Sequence, residues 1–210
     1  MQVRNLSKSF VSPAGKSIPV LSDVSFVVAS GESVAITGVS GAGKSTLLHL
    51  IGGLEVPDTG VIEFDDLKHS PAISFVFQFH YLLPDLNAIE NVGLPLRIAR
   101  VAADRARQRA LQALDSVGLF ERQSHKIGDL SGGEQQRVAV ARALITEPDV
   151  VLADEPTGNL DAAIAAEIGK LFADYAQRRS ARVIIATHNE LVASGCDRVL
   201  RLESGQIVEA

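Results

Sequence analysis

The chain has 210 residues, a formal net charge of −5 and 46% hydrophobic residues, which is enough for one sizeable core. The acidic balance argues against nucleic acid as a direct partner. A single cysteine, Cys196, excludes an intrachain disulfide and is typical of a reducing compartment. No apolar run has the length of a signal-peptide core at the start or of a membrane span later, so we expect a cytoplasmic chain that reaches any membrane through a partner.

The first part of the chain predicts an antiparallel β layer. Residues 3–10 alternate as a strand does, residues 13–16 form a turn, and the chain returns through the apolar run 18–21. A further strand is predicted over 24–28, closed by Ser30 and Gly31. Such a layer is expected to flank the main sheet.

A phosphate-binding pattern follows the apolar run 33–37. Residues 38–45 meet G-x-x-x-x-G-K-[ST] at every required position, between a predicted strand and a predicted helix. The glycines permit turns that point successive N–H groups at a polyphosphate, and the helix start adds its positive end. Lys44 is expected to meet the outer phosphates and Ser45 to bind Mg²⁺. The predicted nucleotide contacts here are Gly38, Val39, Ser40, Gly41, Ala42, Gly43, Lys44, Ser45 and Thr46.

Two further residues are predicted to serve the same nucleotide. Phe10 offers a flat apolar face for stacking on the base, with an ordinary core position as the alternative. Gln78 ends the buried run 73–77, and ligands bind at strand ends in parallel sheets. Its amide oxygen can reach Mg²⁺ or hold a water, so Gln78 is a candidate phosphate sensor.

Residues 88–117 have a helical pattern, interrupted at 94–96, and Gly118 fits a helix C-terminal cap. The stretch carries a basic surface, either a solvated face or a partner-facing one. Its basic residues are Arg97, Arg100, Arg105, Arg107 and Arg109.

A second anion site is predicted where another helix begins. Ser131, Gly132 and Gly133 precede apolar residues with helical spacing, and a helix start with a Ser cap binds anions through free N–H groups. Because the phosphate loop already provides one anion site, a second anion site implies a second anionic ligand. The simplest candidate is the nucleotide held by another copy of the chain.

The run 150–153 ends in two carboxylates, as a Walker-B element does. Asp154 is placed to hold Mg²⁺, commonly through water, and Glu155 to orient or deprotonate the attacking water. A helix cap is the alternative role for this acidic pair. The buried strand 182–187 then delivers His188 to the same edge, where it can bond the γ-phosphate. The chain ends in a predicted hairpin over 198–209.

These elements, in this order, resemble the ATP-binding-cassette (ABC) ATPases over essentially the whole chain. The elements are residues 38–45, Gln78, residues 130–134, Asp154 with Glu155, and His188. The resemblance implies an α/β fold: a RecA-like P-loop core with a mostly parallel sheet, an N-terminal antiparallel layer and a helical subdomain at about 79–147, all in one domain of residues 1–210. Residues 77–85 and 153–161 are similar to the lipoprotein-releasing LolD, MacB and FtsE branch. The segment between Phe64 and Ile73 is shorter than is usual in that family, which predicts that a connecting helix is missing.

The family resemblance also implies the working assembly. Two chains form a head-to-tail homodimer with two ATP molecules between them, Asp161 lies at the seam, and residues 78–91 contact a membrane permease at the cytoplasmic face of the inner membrane. Hydrolysis is then coupled to lipoprotein release or MacB-type export, with FtsE-like force transmission as the alternative. A soluble ABC ATPase acting on nucleic acid or ribosomes is a further alternative, although such members usually carry a long coiled-coil insertion or a second cassette. A small-molecule kinase would have no reason to carry residues 130–136.

Overall fold

The computed structural model describes residues 1–64, 69–158 and 160–209, which fold into two β-sheets with helices packed around the larger one. The strands are β1 (Gln2–Val11), β2 (Ser17–Val27), β3 (Ser33–Thr37), β4 (Thr59–Glu63), β5 (Ile73–Val76), β6 (Val150–Asp154), β7 (Arg182–Ala186), β8 (Arg198–Glu203) and β9 (Gln206–Glu209). The helices are α1 (Lys44–Ile51), α2 (Ala88–Ile98), α3 (Ala103–Ser116), α4 (Gly132–Leu144), α5 (Ala162–Arg179) and α6 (Glu190–Ser194). Short 3-10 turns cover Phe120–Arg122 and Ile127–Asp129.

The smaller sheet has the strand order β2-β1-β4, and both pairings are antiparallel. The predicted N-terminal antiparallel layer is therefore confirmed. The prediction of two separate strands over 18–28 is wrong, because β2 runs through both. The register with β1 shifts near Leu6, and Asp23 takes a left-handed conformation (φ 56) whose carboxylate accepts a bond from Asn5 Nδ2 at 2.7 Å. A β-bulge thus lets β2 continue through the polar residues that interrupt its apolar pattern.

The larger sheet has the order β5-β6-β7-β3-β8-β9 and is parallel except for the final β8-β9 pair. This confirms the predicted mostly parallel sheet and the closing hairpin. The apolar side chains of β3, β6 and β7 are fully buried, as expected for strands covered on both faces. Since β3, β5, β6 and β7 run the same way, the residues that follow them lie at one edge of the sheet.

Helices α2, α3 and α4 pack on one another around their own apolar cluster, which includes Val92, Ala110 and Val138. The predicted interruption at 94–96 is wrong: Pro95 lies inside α2. Burial of Val92 and Leu96 on either side outweighs the one helical hydrogen bond that proline removes. The chain turns only at Arg100, which is left-handed (φ 57). The boundaries of a helical subdomain at about 79–147, within one domain of residues 1–210, stay a prediction.

The predicted shortening between Phe64 and Ile73 involves residues 65–68, which lie outside the described residues. Within the described part of the chain, none of the helices combines the length and the apolar character required to cross a membrane. Cys196 is half-buried, and burial raises the pKa of its thiol to about 11.

Candidate nucleotide-binding site

The phosphate loop fills the turn between β3 and α1, with Gly43 as the N-cap of that helix. Gly38 (φ 149) and Gly43 (φ 104) both have backbone conformations that L side chains rarely adopt. A Cβ on Gly38 would lie 2.3 Å from the carbonyl oxygen of Leu202 in β8, and one on Gly43 would lie 3.0 Å from Val20 in β2. Both sheets therefore approach the loop so closely that only glycine fits.

Lys44 is buried beneath this loop, with 8% of its side chain exposed. Its Nζ donates hydrogen bonds to the carbonyl oxygens of Gly38 at 2.9 Å and Val39 at 3.3 Å, and it lies 3.9 Å from Oε1 of Glu155. The ammonium group is thus held at the centre of the predicted phosphate site. Val39, Ser40, Gly41 and Ser45 are exposed, Thr46 is half-buried and Ala42 is buried.

The two carboxylates after β6 have different surroundings. Asp154 Oδ1 is buried and has no hydrogen-bond partner within the described residues. Mg²⁺ is commonly bound by one or two carboxylates together with phosphate oxygens, so an unsatisfied carboxylate oxygen here fits a magnesium site. Ser45, at the start of α1, offers a hydroxyl as a further oxygen ligand. The helix-cap alternative is wrong for this acidic pair, because Asp161 caps α5 by accepting from Ile164 N at 2.9 Å.

Glu155 and His188 are brought together by the parallel pairing of β6 and β7. Glu155 N donates to Ala186 O at 2.8 Å, which helps to hold Glu155 in a left-handed conformation (φ 45). Its Oε1 lies 2.9 Å from His188 Nδ1, and its Oε2 accepts from His188 N at 3.3 Å. The carboxylate is 14% exposed while the imidazole is 69% exposed. Glu155 is thus oriented by His188 on one side and faces Lys44 on the other.

Gln78 follows β5 at the same edge. A Cβ on Gly158 would lie 3.6 Å from Nε2 of Gln78, so the amide lies beside the turn that follows Glu155. The preceding Phe77 is stacked on Phe75, with ring centroids 5.2 Å apart and planes 5° apart.

Phe10 lies on β1, outside the parallel sheet. Its side chain is 39% exposed, so the core alternative is wrong, and Lys8 Nζ lies 5.1 Å from its ring centroid. Phe10 pairs with Ile18 of β2, the strand whose Val20 approaches Gly43. The exposed ring therefore belongs to the sheet that borders the phosphate loop.

Ser131, Gly132 and Gly133 form the start of α4 and are brought against α5, because a Cβ on Gly133 would lie 3.3 Å from Ile164. Ser131 Oγ accepts from Glu134 N at 3.3 Å. Glu134 Oε2 in turn accepts from Ser131 N and Oγ, each at 2.9 Å. This capping box was missed in the sequence, although the Ser-x-x-Glu spacing of residues 131–134 signals it.

We predict that Glu134 makes the stability of the chain depend on pH. Backbone and side-chain hydrogen bonds from Ser131, together with nearby Arg122, hold the pKa of Glu134 below its ordinary value of 4.5. Folded protein therefore gains stability from the carboxylate above that pH and loses it as pH falls through the lowered pKa. Glu134→Gln should narrow the difference between urea midpoints measured near pH 7 and near pH 4. Glu167→Gln, on an exposed residue of α5, is the control; an equal difference in all three proteins contradicts the prediction.

The comparisons with known proteins agree with this geometry. A family model described as ABC transporter matches residues 21–158. The lipoprotein-releasing system ATP-binding protein LolD of Pseudomonas syringae pv. tomato is 46% identical, covering 100% of this chain and 97% of the relative. The protein of that name from Coxiella burnetii is 47% identical, covering 96% of this chain and 92% of the relative.

A similar solved structure is an ATP-binding cassette in a dimeric post-hydrolysis state bound to ADP and Pi. It is 35% identical, with a TM-score of 0.88 over 98% of this chain and 95% of the other. The predicted α/β cassette fold is thereby confirmed, and the match extends over both sheets and the helices between them. With a family model that covers more than half of its residues and relatives that match nearly all of them, the chain belongs to the ABC transporter family, as one of its ATP-hydrolysing subunits.

Proposed function

We propose that the chain hydrolyses ATP as one half of a homodimer that drives a lipoprotein-releasing permease from the cytoplasmic face of the inner membrane. The observation that carries the proposal is the meeting of Lys44, Asp154, Glu155 and His188 at one edge of the parallel sheet. The names of the relatives support the transport step, since they are ATP-binding proteins of lipoprotein-releasing systems.

The roles of the site residues follow from their chemistry. Lys44 exchanges its bonds to the loop carbonyls for bonds to the outer phosphates. The N–H groups of the loop enclose the remaining phosphates of the nucleotide. Glu155 takes up the proton of the attacking water, and His188 orients Glu155 and reaches the γ-phosphate. Ser45, Asp154 and Gln78 hold Mg²⁺, which when bound neutralises charge on the phosphate oxygens. Phe10 stacks on the base.

The second half of each site comes from the other copy of the chain. Ser131 and Gly132 are exposed at the start of α4, and free N–H groups at a helix start bind anions. A γ-phosphate held between Lys44 of one copy and Ser131 of the other would join the two copies only while it is present. A related cassette has been solved as a dimer, which supports this arrangement.

The contact with the permease is assigned to the aromatic loop, which we define as residues 79–83. Phe79, Tyr81 and Leu83 are 68%, 64% and 44% exposed, an unusual concentration of apolar surface beside a nucleotide site. Aromatic side chains contribute much of the binding energy at protein interfaces. The loop begins one residue after Gln78, so it is placed to transmit changes at the phosphate to a bound partner.

We predict that the aromatic loop is needed for a membrane permease to co-purify with the chain. The experiment uses the Glu155→Gln variant with Mg²⁺-ATP, incubated with detergent-solubilised membranes from the cells that encode it. An integral-membrane permease should co-purify, and adding Phe79→Ser and Tyr81→Ser should lower its yield at least about tenfold. Binding of a fluorescent ATP analogue should be the same with and without the loop substitutions. Recovery of ribosomal or DNA-bound proteins in place of a permease would overturn the transport assignment.

A further inference from the structure

The ammonium group of Lys8 lies over the aromatic ring that we propose to stack on the base. Lys8 Nζ is 5.1 Å from the centroid of the Phe10 ring. A cation within about 6 Å of a ring centroid is attracted by the π electrons of that ring. The Lys8 side chain is only 13% exposed, whereas Phe10 is 39% exposed. One face of the Phe10 ring is therefore occupied by a side chain of the same strand, and the rest of the ring is open to solvent.

Lys8 is held in this position by the segment 54–58, which joins α1 to β4. Lys8 Nζ donates to Val56 O at 2.7 Å. It also lies 3.4 Å from Glu55 Oε2 and 3.9 Å from Asp58 Oδ1. The ammonium group, which has three donors, is thus surrounded by one carbonyl and two carboxylates. Its position is set by the segment 54–58 and not by the ring alone.

The segment 54–58 is itself attached at both ends. Asp58 Oδ2 accepts a hydrogen bond from Ser9 N of β1 at 2.7 Å. Leu54 N donates to His49 O, in the last turn of α1, at 2.8 Å. Because α1 begins at the phosphate loop, these contacts connect the ring, through the ammonium group, to the helix whose start faces the predicted phosphates.

The position of the ammonium group has two consequences for a bound base. The occupied face of the ring is closed, so a base stacks on the opposite face. The cation also draws π-electron density toward its own face, which lessens the repulsion between the opposite face and the π electrons of the base. A neutral side chain at position 8 would lack this second effect.

We infer that Lys8 is a positioning residue for the base of the nucleotide, and that it acts through the ring of Phe10. The inference rests on the proposed function, in which Phe10 stacks on the base, and it adds the side chain that holds and polarises the ring. Lys44 and the phosphate loop hold the phosphates in this arrangement. Removal of the Lys8 charge should therefore lower the affinity only for ligands that carry a base.

The first test compares Mg²⁺-ADP with Mg²⁺-pyrophosphate by isothermal titration calorimetry of the purified chain. Neither ligand has a γ-phosphate, so neither hydrolysis nor pairing of two copies through that phosphate intervenes. Lys8→Met keeps a long side chain and removes the charge. It should weaken ADP binding about three- to thirtyfold and leave pyrophosphate binding within about twofold of the parent chain. Lys8→Arg should restore ADP binding, and Lys170→Met, at an exposed lysine of α5, is the matched control.

The second test is a double-mutant cycle, which separates an effect through the ring from a general effect on the site. Phe10→Ala should weaken ADP binding at least about fivefold, as expected for the loss of base stacking on an aromatic side chain. Adding Lys8→Met to the Phe10→Ala chain should change ADP binding by less than about twofold, because the ring through which Lys8 acts is absent.

Three results would overturn the inference: ADP binding by Lys8→Met at parental affinity, equal weakening of ADP and pyrophosphate, or an undiminished effect of Lys8→Met in the Phe10→Ala chain. Urea unfolding of each variant checks the fold. Glu55 and Asp58 are 41% and 46% exposed, so water can solvate both carboxylates when the ammonium group is removed, and we expect little loss of stability.

The outcomes for Lys8 and for the proposed function can be told apart. A parent chain that binds neither ligand would contradict both. A parent chain that binds ADP but recovers no permease from membranes would count against the proposed function alone. Normal hydrolysis and permease recovery, together with any of the three results above, would count against the role of Lys8 alone.

Discussion

Glu155→Gln is expected to lower the rate of ATP hydrolysis by about 10²- to 10⁴-fold, the range that a general base contributes. The amide cannot accept the proton of the attacking water, although it keeps the size of the carboxylate and its contact with His188. ATP affinity should change little, because the phosphates are held by Lys44 and the loop N–H groups. The variant should therefore accumulate as an ATP-bound dimer.

Three measurements check this expectation: phosphate release, the dissociation constant of a fluorescent ATP analogue, and the molar mass by light scattering with Mg²⁺-ATP. His188→Ala is an informative companion, since it removes the imidazole 2.9 Å from the carboxylate and leaves the base itself in place. We expect it to be slower than the parent chain and faster than Glu155→Gln. Hydrolysis at the parental rate by Glu155→Gln would remove Glu155 from the mechanism.

Lys44→Ala is expected to weaken ATP binding at least about 100-fold. The loss of charge-assisted hydrogen bonds to the phosphates accounts for on the order of 3 kcal/mol, which corresponds to that factor. Arginine is not expected to restore binding, because its planar guanidinium does not reproduce the compact ammonium that Lys44 holds against the loop carbonyls of Gly38 and Val39.

The measurement is a titration with a fluorescent ATP analogue, accompanied by a urea unfolding curve for each variant. Lys170→Ala, on the exposed face of α5, is the control and should bind as the parent chain does. Lys44→Ala that binds ATP within a few-fold of the parent chain would contradict the role given to this residue. Weak binding accompanied by a large loss of stability would show a folding defect and would also count against that role.

The sequence predicted the positions of the candidate site residues in the fold better than it predicted the hydrogen bonds around them. Phosphate loops and paired carboxylates after a strand are short local patterns, so residues 38–45 and Asp154 could be found without a fold. Placing Gln78 and His188 at the same edge needed only the rule that parallel strands end together. Arg142 and Asn91 gave no such signal, because Arg142 reaches a carbonyl 62 positions away along the chain and Asn91 bonds to loop backbone.

Two of the errors have a common physical cause, which is that tertiary packing outweighed a local signal. Pro95 predicts a break, yet buried neighbours keep α2 continuous through it. Polar residues within 18–28 predict two strands, yet a bulge lets β2 continue. The short helix α6 was not predicted, since its five residues carry too little pattern to stand out from a loop.

The closeness of Gly38 to Leu202 bears on how the chain becomes functional during synthesis. The phosphate loop is made early, but it is backed by β8, and β3 is paired on its two sides with β7 and β8. A ribosome makes the chain from the N-terminus onward, so the phosphate loop is made before β8, the strand that packs against it. The nascent chain cannot enclose a nucleotide until residue 202 has been made and β8 has paired with β3, which delays ATP capture until late in the synthesis of the cassette.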